Sequence, residues 1–443
     1  MRLEYIKNNK LLILLAFICL HSACQPGKRL SRKNTYKQQI LHSPIFSGAH
    51  TGFALYDPEK AEMLFEYQSA KYFTPASNTK ILTLYSALKI LGDSIPSLRY
   101  WLRGDSLFFE GTANPMFLHP RLPADSSLLL FLQRRSEKLF FCPGSFQEQP
   151  LGPGWAWDDY PYVFQSERSA FPIHSNVCNF YQDSLSNELM VYPPFFKSFV
   201  IRSPEVGSKT FIRRELNSNY FQVQGPINFD FEWHQPFQYS DTMMVRLLSE
   251  LLGKRVELSN ELSPIDPQII HQYGTDSLYR RMMYRSDNFL AEQLLLACAG
   301  KVTDTLQAKK AVAYVKKNFL QNLPDDPIWV DGSGLSRYNL LTPRSLVAVL
   351  SKMYEEFPTD YLLSLFPAGG QRGTIKKWYA ASPPYVYAKT GSMSNVHCLS
   401  GYLRTVSGRL LTFSFMHNGF KGSSKRYKLE MEKVLEEIRK TVK

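Results

Sequence analysis

The strongest constraint on the fold is a change of texture along the chain. From about residue 98 to 261, short aromatic-rich stretches are broken by glycine and proline, as in GTANPMF, PGWAWDDYPY and VYPPFF. Helical periodicity nearly vanishes there, and such segments read as strands and turns. The flanking regions are different. YFTPASNTKILTLYSALKIL (72–91) sets Ile81, Leu84, Ala87, Leu88 and Leu91 at spacings of three and four, the mark of a buried helix face. Helical pattern resumes near residue 243 and dominates from 265, with NFLAEQLLLACA and the proline-led TPRSLVAVLSKMYEEF. TGFALYDPEKAEMLFEY reads as a hairpin, Gly52 to Tyr56 and Met63 to Tyr67 about an Asp57-Pro58 turn. Val386–Lys389, His397–Arg404 and Leu410–Met416 read as strands joined antiparallel through GSMSN and TVSGR. A last amphipathic helix puts Tyr427, Met431, Val434, Leu435 and Ile438 on one face, suited to closing the sheet. The prediction is an α+β fold in which one discontinuous domain (45–97 and 262–443) is split by a mostly-β insert (98–261).

The N-terminus carries Arg2, Lys7 and Lys10, then an apolar run from Leu11 to Leu20, then Ser22 and Ala23. That run is too short to span a bilayer and suits the core of an export signal over residues 1–23, with 24–44 as a polar, basic tether. Cys24 resembles the lipid-modified cysteine of a bacterial lipoprotein. Two outcomes stay open: anchoring to the inner or outer membrane through Cys24, or plain cleavage. Both place the mature chain outside the cytoplasm, in the periplasm or cell envelope. The net charge of +13 would suit an anionic polymer or an acidic membrane surface. No nucleic-acid-binding motif accompanies it, so nucleic acid is not expected as a partner. Cys142 and Cys178 could pair in an oxidising compartment, though free buried thiols serve a domain of this size equally well. Metal-ligand spacings are absent, and neither metal nor cofactor is expected.

Three short motifs could carry chemistry. Ser77 and Lys80 stand at i and i+3 where a helix begins, so their side chains share one face. A serine hydroxyl needs a neighbouring base, and a lysine serves only when neutral, which burial, a helix N-terminus or a second cation would favour. The bland alternative is a solvated lysine. In YRSDNFLAEQLL, Ser286, Asp287 and Asn288 sit at another helix start, either as an N-cap or with Ser286 as a proton relay to a leaving group. In that second reading Asn288 holds the Lys80 region or a substrate amide, and Asp287 fixes the loop. In VYAKTGSMSN, Lys389 and Thr390 could hold an anionic terminus, and Gly391 could admit a substrate backbone as an extra strand. The Ser392 N–H could pair with that of Ser77 as an oxyanion hole. WVDGSGLSR lacks a third glycine, which excludes a dinucleotide loop, and leaves Asp331 and Arg337 in supporting roles.

Taken in this order, the three motifs resemble those of serine penicillin-binding proteins and β-lactamases. The long insert between Ser77 and Ser286, with FTPASNTKILT, VDGSGLSRYNLLTP, GQRGTI and YAKTGSMSNVHCLSGYL, resembles the penicillin-binding-protein-4-like D-alanyl-D-alanine carboxypeptidase/endopeptidase family. EGTANP and Trp378 depart from that family's pattern without touching the motifs. The resemblance implies a transpeptidase-like fold, an antiparallel sheet flanked by helices. It implies peptidoglycan stem peptides as substrate, β-lactam antibiotics as ligands, and a Ser77 acyl-enzyme with Lys80 as general base. Ser286, Asn288 and Lys389 would complete the catalytic set, with Asp287, Thr390, Gly391 and Ser392 binding substrate. Two alternatives are a serine β-lactamase or esterase, and an inactive cell-wall-binding protein. The first lacks a Glu-x-x-Leu-Asn deacylation motif after Asn288, and RRELN has Arg213 in the glutamate's place.

Overall fold

The structure, a computed structural model, describes residues 35–183, 188–203, 209–227 and 231–443. The expected export signal, Cys24 and the tether up to residue 34 lie outside these residues. The rest of the expected tether is a docked helix, α1 (Thr35–His42), because Tyr36 and Ile40 at i and i+4 give it an apolar edge that is buried. The hairpin follows as β1 (His50–Asp57) and β2 (Glu62–Tyr67), paired antiparallel. A single 3-10 turn, Ala76–Thr79, leads into α2 (Lys80–Ile90). Every residue of α2 from Lys80 to Leu88 is buried, so it is a central helix and not one with a single hidden face.

The β-rich region opens with β3 (Ser94–Arg103) and β4 (Ser106–Gly111), and continues through α3 (Ser127–Gln133) and β5 (Lys138–Phe141). Then come β6 (Val177–Gln182), β7 (Leu189–Tyr192), β8 (Val200–Arg202), β9 (Phe211–Arg214), β10 (Phe221–Gln224) and β11 (Glu232–Pro236). It ends with α4 (Asp241–Leu252), β12 (Val256–Leu258) and β13 (Gln268–Tyr273). One five-stranded sheet, β12-β5-β4-β3-β13, and two three-stranded sheets, β8-β10-β9 and β11-β6-β7, result. Because β3 pairs with β13 along its length, this sheet reaches outward to Ser94 and Tyr273. Its core is aromatic: the Phe171 ring meets Phe109, Phe117 and Phe141 edge-on at 5.4 to 6.2 Å.

Helices return as α5 (Thr275–Arg285), α6 (Asn288–Thr303), α7 (Ala308–Phe319), α8 (Pro343–Glu356) and α9 (Thr359–Leu365). The chain ends with β14 (Val386–Met393), β15 (Val396–Arg404), β16 (Leu410–Asn418) and α10 (Lys425–Thr441). These strands and the hairpin form one antiparallel sheet, β14-β15-β16-β1-β2. One core cluster joins it to α1 and α10 through Phe53, Phe413, Phe415, Met431 and Val434. A second cluster unites α2, α6 and α8 around Leu84, Leu294 and Leu350. Helices thus flank an antiparallel sheet, which is why β15 and β16 are buried on both faces. GSMSN is not all turn: β14 runs on to Met393, and Asn395 at φ 64° makes the reversal. Cys142, Cys178, Cys298 and Cys398 are free, buried thiols.

Candidate active site

Ser77 lies in the 3-10 turn that hands the chain to α2, and Lys80 is the first residue of the helix proper. Asn78 fastens that turn to the edge strand β14 by donating from Nδ2 to the Lys389 carbonyl at 2.9 Å. Lys80 is fully buried. Its Nζ stands 3.0 Å from Ser77 Oγ, 2.7 Å from Asn288 Oδ1 and 2.7 Å from the Ser333 carbonyl. Loss of hydration lowers its proton affinity, and the carboxylates of Asp331, Glu292 and Asp287 counteract only part of this, so its pKa falls to about 8. Two of the three neighbours, the Asn288 and Ser333 oxygens, can only accept hydrogen bonds. In the neutral amine the two N–H groups bound there leave the lone pair for the Ser77 hydroxyl.

Ser286 ends α5 in the left-handed conformation (φ 57°, ψ 40°), which turns its hydroxyl away from the helix path. Its Oγ accepts from Lys389 Nζ at 2.8 Å. Lys389 is also fully buried; desolvation and then the nearby Lys80 hold its proton affinity well below that of an ordinary lysine. Asp287 is the N-cap of α6: its Oδ1 accepts from the Leu290 N–H at 3.2 Å, and Oδ2 lies 3.5 Å from Arg281. It therefore shapes the loop and does not line the main cleft. Thr390 is tied to Thr374, hydroxyl to hydroxyl, at 2.8 Å, and Ser392 Oγ lies 3.0 Å from His397 Nδ1. Gly391 has a packing reason beyond the one read from sequence. A Cβ there would sit 2.3 Å from the Pro75 carbonyl, so glycine lets β14 press against the Ser77 turn.

Ser77, Ser286, Asn288 and Ser392 open into one cleft of about 670 Å³. A cavity of similar size, about 710 Å³, around Lys309 and Trp329 holds none of these groups. Several contributors escaped the sequence reading. Phe164, from the β-rich region, gives its carbonyl to Asn288 Nδ2 at 2.9 Å. Trp155, from the same region, donates from Nε1 to Asp331 Oδ2 at 2.9 Å. Asp331 also receives the N–H groups of Gly334 and Ser336 at 2.8 and 2.7 Å and so folds the Asp-Gly-Ser-Gly loop onto the Ser77 turn. Gly334, at φ 80°, packs so closely that a Cβ would overlap the Ala76 carbonyl. Glu292, fully buried inside α6, accepts the Ser333 N–H at 2.7 Å and faces buried Arg168 at 3.6 Å. Burial, then the charge of Asp331, pushes its carboxyl up to about 7. A glutamate within the apolar run FLAEQLLLACA was the available signal for it.

A serine hydroxyl on a buried lysine of lowered basicity, beside a second serine–lysine pair and an edge strand, defines a serine hydrolase of the acyl-transfer class on a penicillin-binding-protein fold. Residues 35–96 and 143–441 match the D-Ala-D-Ala carboxypeptidase 3 (S13) family. Among curated proteins the chain is similar to the D-alanyl-D-alanine carboxypeptidase DacB of Haemophilus influenzae, 24% identical over 86% of this chain and 88% of that protein. It is also 24% identical to a D-alanyl-D-alanine carboxypeptidase of Actinomadura sp., over 89% of this chain and 82% of that one. The crystal structure of penicillin binding protein 4 from H. influenzae shares the fold, with a TM-score of 0.72 at 22% identity over 92% of this chain and 99% of that one. The chain belongs to the D-Ala-D-Ala carboxypeptidase 3 (S13) family, and it is a serine-type carboxypeptidase.

Proposed function

We propose that the chain cleaves peptidoglycan stem peptides through an acyl-enzyme on Ser77. The observation that carries this is the 3.0 Å approach of a fully buried Lys80 amine to the Ser77 hydroxyl. Neutral Lys80 takes the Ser77 proton as Oγ attacks the carbonyl between the last two D-alanines. The backbone N–H groups of Ser77 and Ser392 receive the oxyanion. Ser286 passes a proton to the departing amine, whose C–N bond breaks, and water then releases the acyl group. Lys389 and Thr390 hold the terminal carboxylate, with Gly391 and Ser392 extending that edge and Asn288 and Asp287 fixing the opposite wall. An arriving carboxylate draws a proton onto Lys389, and that cation keeps Lys80 neutral. The same groups serve a cross-link between two stems, so endopeptidase action is part of the reading. β-Lactams, which mimic the terminal carbonyl and carboxylate, acylate Ser77. In this reading the two flanking segments form the catalytic domain, joined by α1, around an insert whose limits move from 98–261 out to Ser94 and Tyr273, where the β3–β13 pairing closes its sheet. The N-terminal signal delivers the chain to the periplasm or envelope, with Cys24 available as a lipid anchor.

Incubation with penicillin, digestion and mass spectrometry should find one adduct, on the peptide bearing Ser77, and the protein should release D-alanine from a pentapeptide stem. An adduct elsewhere, or none, sinks the reading. Gly391→Ala should slow penicillin acylation by about tenfold, because a methyl group forced against the Pro75 carbonyl costs about 1–3 kcal/mol and moves the strand from the turn. Stopped-flow with a fluorescent penicillin reads this directly.

A further inference from the structure

Beside the main cleft lies a second cavity, of about 410 Å³, on the outer side of the Ser286–Asn288 loop. Phe164, Ser286 and Asn288 line both cavities, so the two adjoin there. Its wall carries three guanidinium groups, Arg121, Arg281 and Arg285, against a single carboxylate, Asp287. Arg281 is half-buried and is paired through Nε with Asp287 Oδ2 at 3.5 Å. Arg121 and Arg285 are close enough to depress the proton affinity of Arg281, although burial is the larger cause. Among the described residues the Arg121 guanidinium contacts the ring of His234, which stands beside Glu232 at 3.2 Å. Arg285 has no ion pair among the described residues. A cation at the C-terminus of α5 is favourable in itself, which accounts for Arg285. It does not account for Arg121, brought from the β-rich region to the same concave wall. Three like charges around one carboxylate repel one another unless an anion joins them.

The position of the cavity says what that anion belongs to. In the function proposed above, on which this inference rests, the departing amine takes its proton at Ser286. A single departing D-alanine ends at its carboxylate against Lys389 and Thr390 and needs no further room. A chain that continues beyond the departing amine passes the Ser286–Asn288 loop and enters the arginine-lined space. We propose that this cavity is a leaving-group subsite for the carboxylate-bearing second stem peptide of a cross-linked substrate. Arginine suits the task because its planar fork binds carboxylate through two parallel hydrogen bonds.

The test compares a purified cross-linked muropeptide dimer with a monomeric pentapeptide, using the wild-type protein and the double variant Arg121→Ala/Arg285→Ala. The variant should show a KM for the dimer raised about tenfold, the size expected for the loss of charge-assisted hydrogen bonds. Its kcat should move less than twofold, and D-alanine release from the monomer should stay within twofold. Amidating the carboxylates of the second stem should raise the dimer KM of the wild type to a similar degree, a result that does not depend on the folding of a variant. A dimer KM unaffected by either change, or a loss shared equally by monomer and dimer, overturns the subsite. Penicillin labelling of wild-type Ser77 is scored separately. Labelling with an unmoved dimer KM removes this inference alone, and absent labelling removes the function on which it rests.

Discussion

Lys80→Met should slow penicillin acylation by about a thousandfold, within the range of about 10²–10⁴ seen when a positioned general base is lost. Methionine keeps the length and apolar stem of the side chain, so α2 retains its packing while Ser77 loses the acceptor for its proton. The pH profile carries the sharper signature. With a pKa of about 8, roughly one lysine in ten is neutral at pH 7, against about one in a few thousand for an ordinary lysine. Wild-type acylation should therefore rise with pH and level off above about 8, and the residual rate of the variant should show no such step. Stability gives an independent check of sign. The folded chain holds this proton less tightly than the unfolded chain, so burial of charged Lys80 costs stability below about pH 8. The cost fades as pH rises from about 8 toward 10.5. A displacement of this size corresponds to about 3 kcal/mol, so wild type should gain up to that much on Lys80→Met across the interval, read by urea denaturation at each pH. A wild-type profile without the step would remove Lys80 as the base.

How legible this site was depended on how local each signal is. Ser77 and Lys80 stand within one helical turn, so spacing alone placed them on a common face, and Lys389 and Thr390 were legible as neighbours at one point of a single strand. The face of α10 from Tyr427 to Ile438 was legible because 3.6-residue periodicity survives in an amphipathic helix, and all five named residues are buried. Central helices hide their neighbours instead: α2 is buried on every side from Lys80 to Leu88, so its pattern announced burial but not its partners α6 and α8. Gly391 was visible as a glycine, but its reason lies in a carbonyl at Pro75, distant in sequence. Trp155, Phe164 and Arg168 come from loops of the β-rich region, where no period links a side chain to a destination. Only the fold shows that this region builds one wall of the cleft. Docking of α1 was hidden for a related reason: two apolar residues in a basic stretch are a faint pattern until α10 is there to receive them.

Arg168→Met should destabilise the protein by about 3–5 kcal/mol, the cost of removing one partner from a buried ion pair. Both Arg168 and Glu292 are about 1% exposed, and their charged atoms stand 3.6 Å apart. The guanidinium also donates to the Gln149 carbonyl at 2.9 Å and lies over the Trp155 ring at 5.5 Å, so methionine forfeits loop anchoring as well as charge. The loss should depend on pH in a stated direction. Glu292 already titrates near 7 and not at its ordinary 4.5, so the folded state holds its proton more tightly than the unfolded chain. Its contribution to stability is therefore fully present below about pH 4.5 and declines as pH rises toward 7. Without Arg168, which lowers that pKa, the decline continues above 7. The deficit of Arg168→Met relative to wild type should thus widen from pH 6 to pH 9 in urea denaturation. Adding Glu292→Gln removes the stranded charge while keeping an acceptor for the Ser333 N–H, so the double variant should lose the pH dependence and regain much of the stability. If the single variant shows a deficit independent of pH and the glutamine restores nothing, the arginine acts through packing alone. In that case the buried charges behind Lys80 are not coupled as their geometry indicates.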